Sequence, residues 1–213
     1  PIWDYYTRSK VECERILWRM ADRDGLRLSV IRPSWLYGER DRTTTARIVR
    51  RIRAGKVPLI GRGDNPLSAI YAGNVADAAV LAADDPGSVG EAYNVTSMGP
   101  ITQREWFDLF ADACGAPRPS RHVPYGATFA VATGIEAVFR LIRRRRPPFI
   151  TRYATWLMGR DLSYSTAKAE QRLGWRPAVG YRESIERTVR WYLDATGPAA
   201  VTRPAEPLRS SSS

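Results

Sequence analysis

Apolar and polar positions follow two periods along this chain, one typical of helices and one typical of short strands. In the first segment a helical spacing runs up to Gly25 and is set by Val11, Ile16, Leu17 and Met20. The run 26–31 is short, apolar and rich in branched residues, which predicts a buried parallel strand. The later pattern predicts strands over 57–60, 68–71, 91–95 and 162–164, and helices near 43–54, from 73, over 102–114, over 125–142, from 149, over 166–173 and over 181–193. The alternation predicts an α/β fold.

Local signals mark several of these boundaries. Thr102 and Glu105 have the spacing of a capping box, and Gly115 is placed to end the same helix. The threonines that begin the helix near 43–54 are candidate caps, as is Ser165 for the helix over 166–173. Gly61 and Gly63 are predicted to lie in a loop between two strands.

The candidate chemistry lies in the first helix. Tyr6 and Lys10 are one turn apart, so the spacing places a phenol and an ammonium on the same face. An ammonium beside a phenol favours the phenolate, and such a tyrosine exchanges protons with an alcohol or ketone near neutral pH. The same spacing recurs at Tyr164 and Lys168, but Tyr164 precedes its predicted helix, so that pair is not expected to share a face.

Five motifs occur in one order along nearly the whole chain. They are the Tyr-x-x-x-Lys helix, Arg32-Pro33-Ser34-Trp35-Leu36-Tyr37-Gly38 at a strand end, the segment 70–78, the segment 92–95 and the segment 167–177. In the types and order of these five motifs, the chain resembles the extended short-chain dehydrogenase/reductase family, also called the NAD-dependent epimerase/dehydratase family. The resemblance implies the C-terminal part of a Rossmann-type doubly wound parallel sheet plus a smaller, mostly helical substrate domain. It divides the chain into 1–96 with the catalytic helix, 97–195 mostly for substrate, and a disordered tail, 196–213.

The resemblance also implies roles for particular residues. Tyr6 would be the catalytic acid/base, and Lys10 its electrostatic partner that also holds the nicotinamide ribose. Pro33 and Ser34 would border the nicotinamide of NAD or NADP at the carboxyl end of a parallel strand, where ligands bind in open α/β sheets. Relatives pair as homodimers through the helix that bears the tyrosine, so a homodimer through the Tyr6 helix is expected.

Family members begin with a strand, a Gly-x-x-Gly-x-x-Gly turn and a helix that binds the cofactor pyrophosphate. The 213 residues contain no such turn. The resemblance therefore implies the C-terminal part of a longer enzyme. This chain alone is expected neither to bind a dinucleotide well nor to turn over substrate.

Three features indicate the substrate class. Relatives that act on nucleotide sugars place an arginine in Gly-x-Gly-x-x-x-Arg, whereas Leu67 stands there after Gly61 and Gly63. A leucine cannot neutralise a diphosphate. Together with the apolar segment 125–142 and the Pro-Pro-Phe-Ile-Thr-Arg-Tyr block at 147–153, this makes the chain most similar to the 3-beta-hydroxysteroid dehydrogenase branch, which oxidises a hydroxyl on an apolar, sterol-like molecule. The alternatives are a sugar-nucleotide epimerase or dehydratase, and a catalytically silent scaffold or redox sensor.

The apolar segment 125–142 is followed directly by Arg143 to Arg146. Three interpretations stay open: a helix that lines an apolar substrate pocket, a helix on a membrane surface, and an ordinary buried helix with a basic end. A second cluster is formed by Arg47, Arg50, Arg51 and Arg53. It favours a solvated face, and no nucleic-acid partner is predicted despite the net charge of +11.

The remaining composition narrows the class of protein. A single histidine, His122, excludes histidine-based metal clusters and a Ser-His-Asp triad. Cys13 and Cys114 lack metal spacing and are predicted to be reduced, packed thiols. No stretch has the length of a membrane span, which favours a cytoplasmic protein with at most peripheral membrane contact through 125–146.

Overall fold

The structure is a computed structural model that describes residues 5–96, 99–142, 148 and 150–196. Its strands form three parallel pairs. β1 (Val30–Pro33) pairs with β5 (Ala92–Val95), β2 (Trp35–Tyr37) with β4 (Ala69–Tyr71), and β3 (Leu59–Ile60) with β6 (His122–Val123). Parallel pairs need long connections, and helices supply them here. The predicted α/β class is confirmed.

In the described ranges, eight α-helices connect and cover these strands. They are α1 (Tyr5–Asp24), α2 (Thr44–Arg53), α3 (Ala72–Asp84), α4 (Gln103–Cys114), α5 (Tyr125–Leu141), α6 (Arg152–Gly159), α7 (Ala167–Leu173) and α8 (Tyr181–Thr196), with a 3₁₀ turn at Pro86–Ser88. None of the helices in the described ranges is long and apolar enough to cross a membrane.

Two clusters of buried side chains form the core. The larger cluster centres on Trp106 and Phe110 of α4, which pack against α2, α8 and strands β2 to β4. The smaller cluster joins Tyr93 and Val95 of β5 to α3 and to Trp175. Leu67 is only 3% exposed and belongs to the larger cluster, so its side chain serves the core.

The predicted ends of α4 are confirmed. The Thr102 side chain accepts a hydrogen bond from the Glu105 backbone, and the Glu105 carboxylate accepts one from the Thr102 backbone. Gly115 ends the helix with a φ of +61°, a conformation that glycine adopts without strain. At α2 a threonine, Thr43, holds the N-cap position, but its side chain makes no capping hydrogen bond. The Asp41 carboxylate accepts hydrogen bonds from the backbone of Thr43, Thr44 and Thr45 in its place.

Other boundaries also differ from the prediction. β1 begins at Val30 because the preceding residues lie beside the 3₁₀ turn, where the Ser29 hydroxyl donates to Ser88 O. The strand predicted over 162–164 is absent from the described structure, since Leu162 O accepts from the Ser68 side chain and joins no ladder. The N-cap of α7 is Thr166, one residue after Ser165.

The structure also gives the exposure of α5 and of the two cysteines. α5 is not an ordinary buried helix, since only its Ala132 is buried. Cys13 is exposed and not packed, whereas burial raises the pKa of the half-buried Cys114 thiol to about 11. The predicted tail over 196–213 is wrong at Thr196, which ends α8. The arginines at 143–146 and the residues from 197 onward lie outside the described residues.

Candidate active site

Helix α1 places the phenol and the ammonium on one face. Tyr6 lies in its first turn, and the Nζ atom of Lys10 lies 5.7 Å from the centroid of the Tyr6 ring. This is the arrangement that the spacing predicts, and it puts a full positive charge beside the phenol. The part that either residue plays in catalysis stays a prediction.

The Tyr6 ring is open to solvent on one side and bounded by aromatic rings on the other. Tyr6 is 59% exposed. Its ring centroid lies 6.2 Å from that of Tyr153 on α6, and Tyr153 stacks in turn on Trp156 at 6.3 Å. A ligand that reaches the phenol therefore also meets an apolar, aromatic wall. Sequence reasoning missed this contact because the two tyrosines lie far apart in the chain.

The ammonium of Lys10 is available to a ligand. The carboxylate of Glu12 pairs with Arg15 and Arg19 at 3.6 and 3.2 Å, and that of Glu14 pairs with Arg32. Within the described ranges, no carboxylate forms an ion pair with Lys10. A lysine without a protein acceptor can donate hydrogen bonds to a bound molecule.

One ion pair ties α1 to the strand that leads into the predicted cofactor edge. The Arg32 guanidinium donates two hydrogen bonds to the Glu14 carboxylate, one of them from Nε to Oε2 at 3.1 Å. These bonds from Arg32 hold the pKa of Glu14 below its usual range. α1 has no buried residue, so this pair and the ring contact of Tyr6 are specific attachments of the helix. Sequence reasoning placed Arg32 in a family motif but predicted no ion-pair partner for it.

Pro33 and Ser34 lie where the sequence predicted, at the carboxyl end of a parallel strand. Pro33 ends β1 opposite Val95. The Ser34 backbone N–H donates to Val95 O at 3.1 Å, and its Oγ accepts a hydrogen bond from the Thr96 hydroxyl at 3.0 Å. Because Arg32 immediately precedes Pro33, the ion pair with Glu14 links this edge to the face that bears Lys10.

Two other tyrosines are unsuited to acid–base chemistry. Tyr164 precedes α7, and the Lys168 ammonium pairs with Glu91 at 2.6 Å, so the second Tyr-x-x-x-Lys spacing does not form a pair. Tyr37 is buried, its hydroxyl lies 2.6 Å from Ser184 Oγ, and burial raises the pKa of Tyr37. Its phenol therefore stays protonated at neutral pH.

A cavity of about 890 Å³ lies beside the carboxyl ends of β1 and β5. Its lining includes Thr96, which bonds to Ser34, and then Tyr164, Glu170 and Arg176. Tyr6, Lys10 and all residues of α5 lie outside its lining. The helix predicted to line an apolar pocket therefore does not contribute to this cavity.

Comparison with known proteins places the chain in a family. The profile of the 3-beta hydroxysteroid dehydrogenase/isomerase family matches residues 2–123. Isoform 2 of the 3beta-hydroxysteroid-dehydrogenase/decarboxylase of Arabidopsis thaliana is 32% identical over an alignment of 197 residues that covers 87% of this chain and 35% of that protein. The 2-alkyl-3-oxoalkanoate reductase of Shewanella oneidensis is 27% identical over an alignment of 195 residues that covers 86% of this chain and 50% of that protein.

Solved structures share the fold. The UDP-glucuronic acid 4-epimerase of Bacillus cereus, crystallised with NAD, matches with a TM-score of 0.65 at 13% identity and covers 91% of this chain and 53% of its own. At that identity the likeness shows the Rossmann-type fold alone. The chain spans 35% to 56% of the length of curated relatives that it matches. With a profile that matches more than half of its residues, the chain belongs to the 3-beta hydroxysteroid dehydrogenase/isomerase family of extended short-chain dehydrogenases/reductases.

Proposed function

We propose that this chain carries the proton-transfer group of an NAD(P)-dependent oxidoreductase that acts on a secondary alcohol or ketone of an apolar, sterol-like substrate. The observation that carries the proposal is the exposed Tyr6 phenol with the Lys10 ammonium 5.7 Å from its ring centroid. Two specific residues of the family motif thus stand together at an accessible surface.

The residues of this chain fit the nicotinamide end of the cofactor. Lys10 has no carboxylate partner in the described part of the chain, so its donors suit the hydroxyls of the nicotinamide ribose. Pro33 and Ser34 would border the nicotinamide at the strand end. The cofactor, when bound, supplies or accepts the hydride.

Tyr6 would exchange the proton that accompanies hydride transfer. In oxidation its phenolate would take the proton from the substrate hydroxyl, and in reduction its phenol would return it to the ketone oxygen. Lys10 would stabilise the negative charge by Coulomb attraction and orient the ribose. The rings of Tyr153 and Trp156 would exclude water from one side of the reacting carbon.

The apolar substrate class is supported by position 67. Leu67 is packed into the core and is 3% exposed, so this position gives no cation to a diphosphate. The names of the Arabidopsis and Shewanella relatives refer to a hydroxyl or keto group on a largely hydrocarbon molecule.

A sugar-nucleotide epimerase or dehydratase is the second candidate. One observation favours it: the cavity at the strand ends is lined by Arg176 and by several hydroxyl groups, which suit a polar, anionic ligand. A catalytically silent scaffold is the third candidate, and the intact Tyr6–Lys10 pair argues against it.

The test is a pair of conservative substitutions in the enzyme that contains this chain. Tyr6→Phe should lower kcat by about 100-fold or more because it removes only the proton-transfer group. Binding of NADH, followed by its fluorescence, should be nearly unchanged. Tyr5→Phe is the matched control, since Tyr5 is the adjacent exposed phenol and should leave kcat at the wild-type value. A Tyr6→Phe enzyme with full activity would remove Tyr6 from this role.

The substrate candidates separate in one assay. Sterols with a 3-hydroxyl group and UDP-sugars are compared for hydride transfer at 340 nm, with UDP-sugar epimerisation followed by chromatography. Turnover of a sterol supports the proposal. Turnover of UDP-sugars alone supports the second candidate, and no turnover of either class contradicts both in favour of the scaffold.

A further inference from the structure

Helix α6 carries two aromatic rings beside the Tyr6 phenol. Tyr153 and Trp156 are three residues apart, so they lie on one side of the helix, and both are half-buried. The planes of their rings are 29° apart, whereas the Tyr6 ring is tilted by 57° against that of Tyr153. Two nearly parallel aromatic rings therefore begin beside the phenol and continue along α6.

Both ends of α6 are anchored, which fixes the position of these rings. At the first residue of the helix, the Glu136 carboxylate of α5 accepts hydrogen bonds at 2.7 Å from the backbone N–H and from Nε of Arg152. In the last turn, Met158 O accepts hydrogen bonds from Gln103 Nε2 at 2.6 Å and from Asn65 Nδ2 at 2.8 Å. A contact surface with such support loses little freedom when a ligand binds.

A fused-ring alcohol fits such a surface better than an open-chain alcohol of equal size. A flat ring system brings many carbon atoms against an aromatic face at once, and each contact adds dispersion energy. An open chain must also fix several rotatable bonds to lie along the same face, which costs conformational entropy. The aromatic rings of α6 therefore favour a rigid, cyclic substrate.

We propose that Tyr153 is the residue that selects fused-ring over open-chain alcohols, and that Trp156 extends its contact surface. The substrate ring that bears the reacting carbon lies against the Tyr153 ring, with its hydroxyl group directed to Tyr6. The inference rests on the proposed function, since it assigns recognition of the substrate at that site to residues of α6. Tyr153 contacts the substrate but takes no part in proton transfer.

The test compares two apolar secondary alcohols with the same number of carbon atoms, the fused-ring decahydro-2-naphthol and the open-chain 2-decanol. Isothermal titration calorimetry gives their dissociation constants in the enzyme that contains this chain, so the result does not depend on hydride transfer. The wild type should bind the fused-ring alcohol about tenfold more tightly. Tyr153→Phe should keep this ratio because it keeps the ring, and Tyr153→Leu should lower it by about three- to tenfold.

Tyr5→Leu is the matched control. Tyr5 is 81% exposed on α1, so the variant removes the same ring outside α6 and should keep the wild-type ratio. Circular dichroism should show that each variant is folded. If Tyr153→Leu does not fold, Trp156→Leu provides the second measurement and should lower the ratio by about twofold.

Three outcomes would overturn the role of Tyr153: a wild type without preference, an unchanged ratio in the folded leucine variant at either ring of α6, and equal weakening of both alcohols by Tyr153→Leu. An enzyme that keeps the binding preference but transfers no hydride to either alcohol would contradict the proposed function. That result would still support the role of Tyr153 in binding.

Discussion

At the scale of single residues, the ion pair between Glu14 and Arg32 joins the Tyr6 helix to the strand end at Pro33 and Ser34. Both side chains are partly exposed, and the contact is bidentate. Bidentate geometry fixes orientation better than a single charge contact does. Since α1 buries no side chain, its position depends on such polar attachments.

We expect Glu14→Gln to lower the free energy of unfolding by roughly 0.5–1 kcal/mol at pH 7, because it removes the charge and keeps the size of the side chain. Arg32 holds the pKa of Glu14 below the unfolded value, so the stabilisation is complete above that value and is lost as the pH falls through the folded pKa. Urea unfolding should therefore show a difference from wild type at pH 7 that shrinks below about pH 4.

Glu12→Gln is the control for this measurement. Glu12 lies on the same helix, but its partners Arg15 and Arg19 belong to that helix too. Its loss should have a smaller effect, of a few tenths of a kcal/mol. An equal effect of the two substitutions would show that the link between α1 and β1 adds no stability.

At the scale of elements, the ends of helices show which local signals are reliable. The capping box of α4 was predictable because Thr102 and Glu105 satisfy each other within one turn. The cap of α2 was not, because three threonines in a row, Thr43 to Thr45, offered several candidates and Asp41 precedes them. A carboxylate accepts more hydrogen bonds than a hydroxyl and also complements the helix dipole.

Asp41→Ala should lower the free energy of unfolding by about 1–2 kcal/mol, because it leaves the backbone N–H groups of Thr43 to Thr45 without a partner. Thr43→Ala is the comparison and should cost less, since its side chain caps no backbone group. Urea unfolding at pH 7 measures both. A larger loss for Thr43→Ala would contradict the assignment of Asp41 as the cap.

Burial raises the pKa of Asp41, but the hydrogen bonds from Thr45, Thr43 and Thr44 outweigh it and leave the pKa below its usual range. The contribution of Asp41 is thus present at neutral pH. It is lost as the pH falls through the folded pKa.

At the scale of the whole molecule, apolar surface is distributed unevenly. The core packs around Trp106, whereas four apolar side chains of α1 are between 39% and 45% exposed: Val11, Ile16, Leu17 and Met20. Exposed apolar surface of this kind marks interaction sites. We therefore retain the homodimer through α1 as a proposal.

Sedimentation equilibrium of the full chain tests this proposal. The wild type should have the mass of a dimer, and Ile16→Glu should shift the equilibrium towards the monomer because a charge would enter an apolar contact. Val80→Glu is the control and should leave the mass unchanged, since Val80 is 59% exposed on α3 and lies outside α1. A monomeric wild type would rule out a stable homodimer through α1.

The sequence was most informative where the signal was local or repeated. Helical spacing together with caps and prolines located the eight helices of the described ranges, and the motif order indicated the family. The sequence was least informative about contacts between segments that lie far apart in the chain. The contact of Tyr6 with Tyr153 and the pairing of Glu14 with Arg32 depend on tertiary packing, which periodicity does not encode. The strand predicted over 162–164 does not form for the same reason. Leu162 O accepts its hydrogen bond from the Ser68 side chain and not from a neighbouring strand.

The contact of α6 with both α5 and Tyr6 joins two parts of the molecule. α6 bonds to α5 through Arg152 and places Tyr153 against Tyr6, so α5 is linked to the Tyr6 phenol through one helix. A ligand that displaced α5 would therefore shift the aromatic ring beside that phenol without touching it.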